Sequence, residues 1–446
     1  MAFAAGTIHH PPARGRSIID SMSIPGLAWR GLTAAAVVVA STMLLAQGHD
    51  VVIPYIPPPQ DNAGLRDPVT TLARRLEAGS VKLAVDPVGG VLRSLLRELA
   101  IPVSSQTLVF SKTSLQYEFI KPRTPRALYF SDDTYVGFVP DGNIIEISTV
   151  DPDVGAVFYT AGRRSGTVPM LVTDARCLQC HQIPATLGVS GHLMRSVFVR
   201  SDGSVASGEP TYLTDDRSPF AERWGGWFVS GTVAGAAHMG NAILPAGQRA
   251  GTFDRERGSA ISDVARLFDH ERYLSSDSDV VALMVLGHQV RLHNLIARLN
   301  HTARSAARGG QSAASPPLDA QVDELVRYLL FADARPLPGE VRGTTGFVAD
   351  FERRGPADAA GRSLRQFDLK TRLFRYPCSY LIYSQAFLGL PADAKNLIYA
   401  RLTEILASPD PVPGFDSLSA GDRRAVFEIL RSTHTEFAAF SRRGER

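Results

Sequence analysis

The sequence predicts an α+β protein, in which a small antiparallel sheet region carrying one chemically specific motif packs against a mostly helical C-terminal half. Three observations predict it. Between Thr107 and Thr160, apolar and polar residues alternate in short runs separated by turn signals, the period of half-buried strands. From Asp277 onward the apolar residues recur at helical spacing. Between these regions lie two of the chain's three cysteines, close together, so one local chemistry is superimposed on the scaffold.

The N-terminus comes first in the chain. Leu32 to Ala46 is an almost unbroken apolar run, preceded by Arg14, Arg16 and Arg30 and followed by Gln47-Gly48-His49-Asp50. Such a run has the length of a signal-peptide core and is short for a spanning helix. Residues 1–46 are therefore expected to be a signal peptide or an N-terminal anchor. A start at Met22 would give a shorter leader with one arginine before the apolar core. Cleavage after Ala46 would put Leu44 where a small residue is preferred, which keeps the anchor open. Residues 47–68, with Pro54, Pro57, Pro58, Pro59 and Pro68, are expected to be an extended linker. The mature chain is then periplasmic or on the outer face of the cytoplasmic membrane, with a membrane tether if the apolar segment is retained. The net charge of +3 on 446 residues is too small to argue for nucleic acid.

Residues 69–260 are expected to form the α+β domain. Val69–Ala78 and Val91–Leu99 carry helical patterns, the second with Leu92, Leu95, Leu96 and Leu99 on one face. Ile101-Pro102 ends it. Strands are expected at Thr107–Phe110, Ala127–Phe130, Thr134–Val139, Asn143–Val150 and Ala156–Thr160, with Pro140-Asp141-Gly142-Asn143 as a hairpin turn whose glycine takes positive φ. A second hairpin is expected at Arg195–Arg200 and Ser204–Ser207. The stretch Arg223-Trp224-Gly225-Gly226-Trp227-Phe228 follows, its glycines beside large rings suited either to the wall of a flat ligand or to a tight sheet corner.

Residues 261–446 are expected to be mainly helical. Val281, Met284, Val285, Leu292, Leu295, Ile296 and Leu299 trace one apolar stripe. His288 lies on it and is expected to be buried against a carbonyl. His293 lies off it and is expected at a surface or interface. Ala303–Pro317 reads as a loop, with helices recurring at Val322–Phe331, Ala392–Leu406 and Ala420–Leu430. Arg362 to Ala386 is rich in aromatic and aliphatic residues and should be core, with Cys378 a buried, inert thiol.

The motif is Cys177-Leu178-Gln179-Cys180-His181. This is the C-x-x-C-H spacing at which two thiols can each add across a haem vinyl group while the adjacent histidine supplies an axial nitrogen to the iron. Two other chemistries use similar residues. A redox dithiol would want the motif inside a βαβ unit, and zinc would need Cys177, Cys180 and two of His181, His192 and His238. One covalently attached haem c is the expected cofactor, held by Cys177 and Cys180, with His181 and His238 as metal ligands. His238, with Met239 beside it, is favoured for the second axial position because that loop can fold back over the ring. His192 and Met194 are nearer in sequence, and His288 is more distant. Arg195 and Arg223 are candidate partners of the haem propionates.

The motif resembles that of c-type cytochromes. Carried over, the resemblance implies thioether bonds from Cys177 and Cys180 and proximal ligation by His181. Longer runs are similar to bacterial proteins described only by a cytochrome c domain: Leu128-Tyr129-Phe130-Ser131-Asp132-Asp133, Trp224-Gly225-Gly226-Trp227, His238-Met239-Gly240-Asn241 and Arg375-Tyr376-Pro377-Cys378-Ser379-Tyr380-Leu381-Ile382-Tyr383. The expected role is one-electron transfer with a redox partner protein. A haem-based redox or gas sensor, and a haem oxidoreductase or peroxidase with an open distal site, are the alternatives. In the last, His192 and His288 would be the acid–base candidates.

Overall fold

A computed structural model describes residues 64–163, 175–309 and 316–443. The expected leader over 1–46, the linker up to residue 63 and the Ala/Ser-rich residues 310–315 lie outside the described residues.

Helix α1 (Pro68–Glu77) begins at Asp67, whose Oδ1 accepts the backbone N–H groups of Val69 and Thr70. Its Oδ2 accepts hydroxyls from Thr70 and Tyr159, which ties the helix start to the sheet. Helix α2 (Leu92–Glu98) buries Leu92, Leu95 and Leu96 as the pattern requires. The strands follow: β1 (Thr107–Val109), β2 (Arg126–Phe130), β3 (Thr134–Phe138), β4 (Ile144–Asp151) and β5 (Gly155–Gly162). After the short helix α3 (Ala175–His181) come β6 (Arg195–Val197), β7 (Thr211–Leu213) and β8 (Trp227–Phe228). The main sheet is antiparallel, in the order β5-β4-β3-β2-β1-β8.

Three local expectations change. Gly142 does not take positive φ; a Cβ there would lie 2.0 Å from Gln116 Oε1, so the end of that side chain would have to turn away. The second hairpin closes through Val199 and Val205, but β6 takes β7 as its strand partner. The aromatic stretch is the sheet corner: β8 pairs with β1, Phe228 against Leu108 and Trp227 against Val109, and both Trp224 and Trp227 are buried in protein.

Beyond β9 (Thr232–Val233) and α4 (Arg255–Ser259), the chain enters α5 (Val280–Ala307). Its start is held by buried Asp279. Oδ1 accepts from Val281 and Ala282, and Oδ2 accepts from the backbone of Thr344 and Thr345 and the Thr345 hydroxyl. This helix is long and apolar enough to cross a membrane, but 89% of its most apolar window is buried inside the protein, so here it is a core helix. It is covered on nearly all sides, not along one stripe. That corrects His293, which is 2% exposed, not on the surface. The helix also continues through the expected start of the loop at Ala303. Alanine favours helix there, and Arg304 anchors the last turn to Asn300 Oδ1 (2.8 Å) and Asp153 Oδ1 (2.6 Å).

The remainder comprises α6 (Leu318–Leu329), β10 (Val341–Arg342), which pairs with β9, α7 (Phe347–Glu352), α8 (Gln385–Leu388), α9 (Ala392–Leu406), α10 (Ala420–Thr433) and α11 (Thr435–Arg443). The sheet divides two cores. One face, with Leu108, Val136 and Ile147, packs against the leucines of α1 and α2. The other supplies Val109, Phe130, Tyr135 and Val150 to a core shared with α5, α6, α9 and α10. The fold is α+β, with a mostly helical C-terminal half.

Candidate haem-attachment site

The site starts from sheet register. Tyr135 on β3 pairs with Ser148 on β4, and Ser148 pairs with Phe158 on β5. Cross-strand partners share a face, so these three side chains form a row facing α5. His192 lies on that row. Its Nε2 bonds Ser148 Oγ (2.8 Å), and its ring centroid is 4.4 Å from that of Tyr135 and 5.8 Å from that of Phe158. Asn294 on α5 clamps the His192 backbone, accepting from N–H (3.0 Å) and donating to C=O (2.7 Å).

Helix α3 docks beside this row. The His181 ring sits 4.5 Å from Phe158 and 6.4 Å, edge-on, from His192. Two bonds fix it to Gly191. The Gly191 N–H donates to the His181 carbonyl (2.8 Å), and His181 Nδ1 lies 2.9 Å from the Gly191 carbonyl oxygen. A carbonyl can only accept, so Nδ1 carries the proton and the neutral ring keeps its lone pair on Nε2. Burial holds the His181 pKa below its ordinary value, which favours that neutral form. A Cβ at residue 191 would lie 2.3 Å from Asn294 Oδ1, so a larger residue there would displace the 191 backbone or the Asn294 clamp. Cys177 is half-buried, Cys180 is exposed, and neither is in a disulfide.

A polar chain continues inward from the row. Tyr135 Oη meets His293 Nδ1 at 2.9 Å and accepts from Gln289 Nε2 at 3.0 Å, and Tyr380 Oη donates to Gln289 Oε1 at 2.5 Å. His293 Nε2 is 3.6 Å from Asp133 Oδ1. Sequence reading missed this chain, because its members come from three separated segments.

His238 is placed elsewhere. Its ring packs on Trp224 at 5.1 Å, its Nδ1 accepts the Gly240 N–H, and its own N–H donates to Ser259 Oγ. No contact among the described residues joins it to His181. Met239 is fully buried with Phe198, Leu244 and Phe253. Met194 is buried against α5, 3.6 Å from where a Cβ on Gly287 would stand. Arg223 is buried in a cleft with no α3 residue on its wall, and Arg195 lies on β6. Cys378 is fully buried, and burial pushes its thiol up to about 12. His288 is buried as expected, but its partners are the Asp216 carboxylate and the Ser379 hydroxyl, not a carbonyl.

Burial takes the His238 pKa from 6.5 to about 4. The unfolded chain therefore binds a proton that the folded one refuses, and stability falls as pH drops from 6.5 towards 4. That gap corresponds to about 3 kcal/mol. In His238→Asn the side-chain oxygen can still accept the Gly240 N–H, and nothing there titrates. Urea unfolding at stepped pH should show a shallower acid loss in the variant. Parallel curves would mean that His238 is already charged in the fold.

The geometry bears on the rival chemistries. Every paired strand of the main sheet is antiparallel, so the motif does not sit in a βαβ unit. Among the described residues, no group of three or more His, Cys, Asp or Glu side chains is arranged to hold a metal ion. No protein-family model, curated protein or solved structure matches the chain.

Proposed function

We propose that the protein is an exported c-type cytochrome that carries one haem bound covalently through Cys177 and Cys180, with His181 as an axial ligand, and passes single electrons to a redox partner protein. The observation that carries this reading is the Nδ1–H bond of His181 to the Gly191 carbonyl. It fixes the ring orientation and leaves Nε2 as the donor, the arrangement that metal-ligating histidines use. Cys180 is exposed and Cys177 half-buried. A haem held there would supply ferrous–ferric exchange.

His192 replaces His238 as the candidate second ligand. Its ring neighbours His181, and its buried Nδ1 has no hydrogen-bond partner. The enzyme alternative has less support, because His288 is fully buried with both nitrogens engaged. Covalent haem attachment of this kind takes place outside the cytoplasmic membrane, so the proposal brings export with it, through the apolar segment within residues 1–46.

The test is a reduced pyridine haemochrome spectrum of protein expressed with a haem c maturation system, beside Cys177→Ala/Cys180→Ala. A c-type α band in the wild type that is lost in the variant is expected. Haem-free protein that instead binds one zinc per chain would overturn the reading.

A further inference from the structure

We propose that a second site, a cleft separate from α3, binds a small organic monocarboxylate with an aromatic or aliphatic body. The cleft has a volume of about 300 Å³ and lies between the 216–223 segment, the start of α5 and the 331–337 and 371–377 segments. That volume is at the small end for ligand pockets, enough for one ring or a short chain.

Three guanidinium groups line it: Arg223, Arg335 and Arg372. Arg223 is only 4% exposed. Its Nε and Nη2 donate to the backbone carbonyls of Ser218 and Asp216, and its face lies over Phe220 at 4.1 Å. Its Nη1 has no hydrogen-bond partner among the described residues, and no carboxylate pairs with it. A guanidinium taken out of water without a counter-ion is costly. An anion in the cleft would supply that counter-charge, and a carboxylate matches the guanidinium fork. Arg335 is exposed, and among the described residues its side chain donates only to the Arg217 carbonyl. Arg372 pairs with Asp422 at 2.6 Å, yet its Nε is buried without a partner.

The one carboxylate on the wall, Asp216, offsets part of this charge, with its Oδ2 held by His288 Nδ1 at 2.5 Å. Against three guanidinium groups it leaves the lining net positive. The rest of the lining is largely apolar, with Met284, Leu337 and Phe374. An inorganic anion would leave that surface unused, and a neutral apolar molecule would leave Arg223 unpaired. An amphipathic anion satisfies both. The inference does not rest on the haem reading, since neither α3 nor His192 lines the cleft.

Benzoate and octanoate are the probes, with benzamide as the neutral counterpart of benzoate, titrated calorimetrically into the full chain. Saturable binding of at least one acid is expected, with benzamide at least tenfold weaker than benzoate if benzoate binds. Ala334→Trp should fill the cleft and abolish binding while the circular dichroism stays that of the wild type. Arg335→Ala should weaken it several-fold. Cys177→Ala/Cys180→Ala should bind as the wild type does, whether or not haem is attached. No binding of either acid, benzamide binding as tightly as benzoate, or undiminished binding in Ala334→Trp would overturn the proposal. Loss of binding in the double-cysteine variant would place the ligand at the motif instead and overturn it equally.

Discussion

Truncating His288 to alanine is expected to destabilise the fold by about 4 kcal/mol. The side chain is fully buried and joins three distant segments. Nδ1 lies 2.5 Å from Asp216 Oδ2, Nε2 lies 2.7 Å from Ser379 Oγ, and the ring is stacked on Tyr328 and Phe331, with centroids at 5.3 and 4.5 Å. Alanine would leave a carboxylate without its donor, a hydroxyl without its acceptor and a slot between two rings. The order carboxylate–imidazole–hydroxyl is that of a nucleophilic triad, but burial decides against that use. Ser379 is 0% exposed, and its oxygen also accepts the Leu381 N–H. Ser379→Ala should therefore cost only about 1–2 kcal/mol. Urea unfolding of the two variants tests the ranking. A His288→Ala midpoint equal to that of the wild type would remove the structural role. A Ser379→Ala variant of unchanged stability that lost an esterase activity would restore the nucleophile.

The sheet was legible because its signal is local. In β4, Ile145 and Ile147 are buried on one face while Glu146 and Ser148 on the other are half-buried, the alternation that period two predicts. Helix α5 was legible as a helix but not in its surroundings. Its apolar stripe marks one buried face; the opposite face is buried by elements far along the chain, and it carries His293 and Gln289 in a polar chain with Tyr135 and Tyr380. Periodicity assigns polar residues to solvent, and it fails where distant partners satisfy them in the interior.

The motif stands out in the sequence for a different reason: the haem reading proposed for it rests on spacing, not on periodicity. What the spacing could not show is which second histidine lies near. Loop order pointed to His238, because it follows the aromatic stretch. That stretch, however, became an edge strand, which carried His238 onto Trp224. Strand register brought His192 to His181 instead, through a row that alternates with intervening residues and so leaves no contiguous trace in the sequence. The Asp216–His288–Ser379 link is hidden in the same way, its ends separated from His288 by 72 and 91 residues.

Replacing His181 by alanine is expected to separate the two tasks that the motif would perform. In the proposed cytochrome, Cys177 and Cys180 hold the haem by covalent bonds, and His181 only ligates. Per haem, the pyridine haemochrome of His181→Ala should match that of the wild type, since pyridine replaces the axial ligands in both. The native spectrum should not match. It should lose its low-spin, six-coordinate character and regain it when imidazole is added to the solution. Gly191→Ala should give a weaker version of the same change. A Cβ at that position would lie 2.3 Å from Asn294 Oδ1, so the carbonyl that orients His181 must move while the nitrogen donor remains. Loss of a partner of this kind typically weakens ligation about 10- to 100-fold. If the native spectrum of His181→Ala is that of the wild type, the iron takes its ligand from another residue. The Gly191 bond would then be a fold contact and nothing more. If imidazole restores the spectrum in both variants, the two residues act in series: Gly191 positions a ring that His181 must supply.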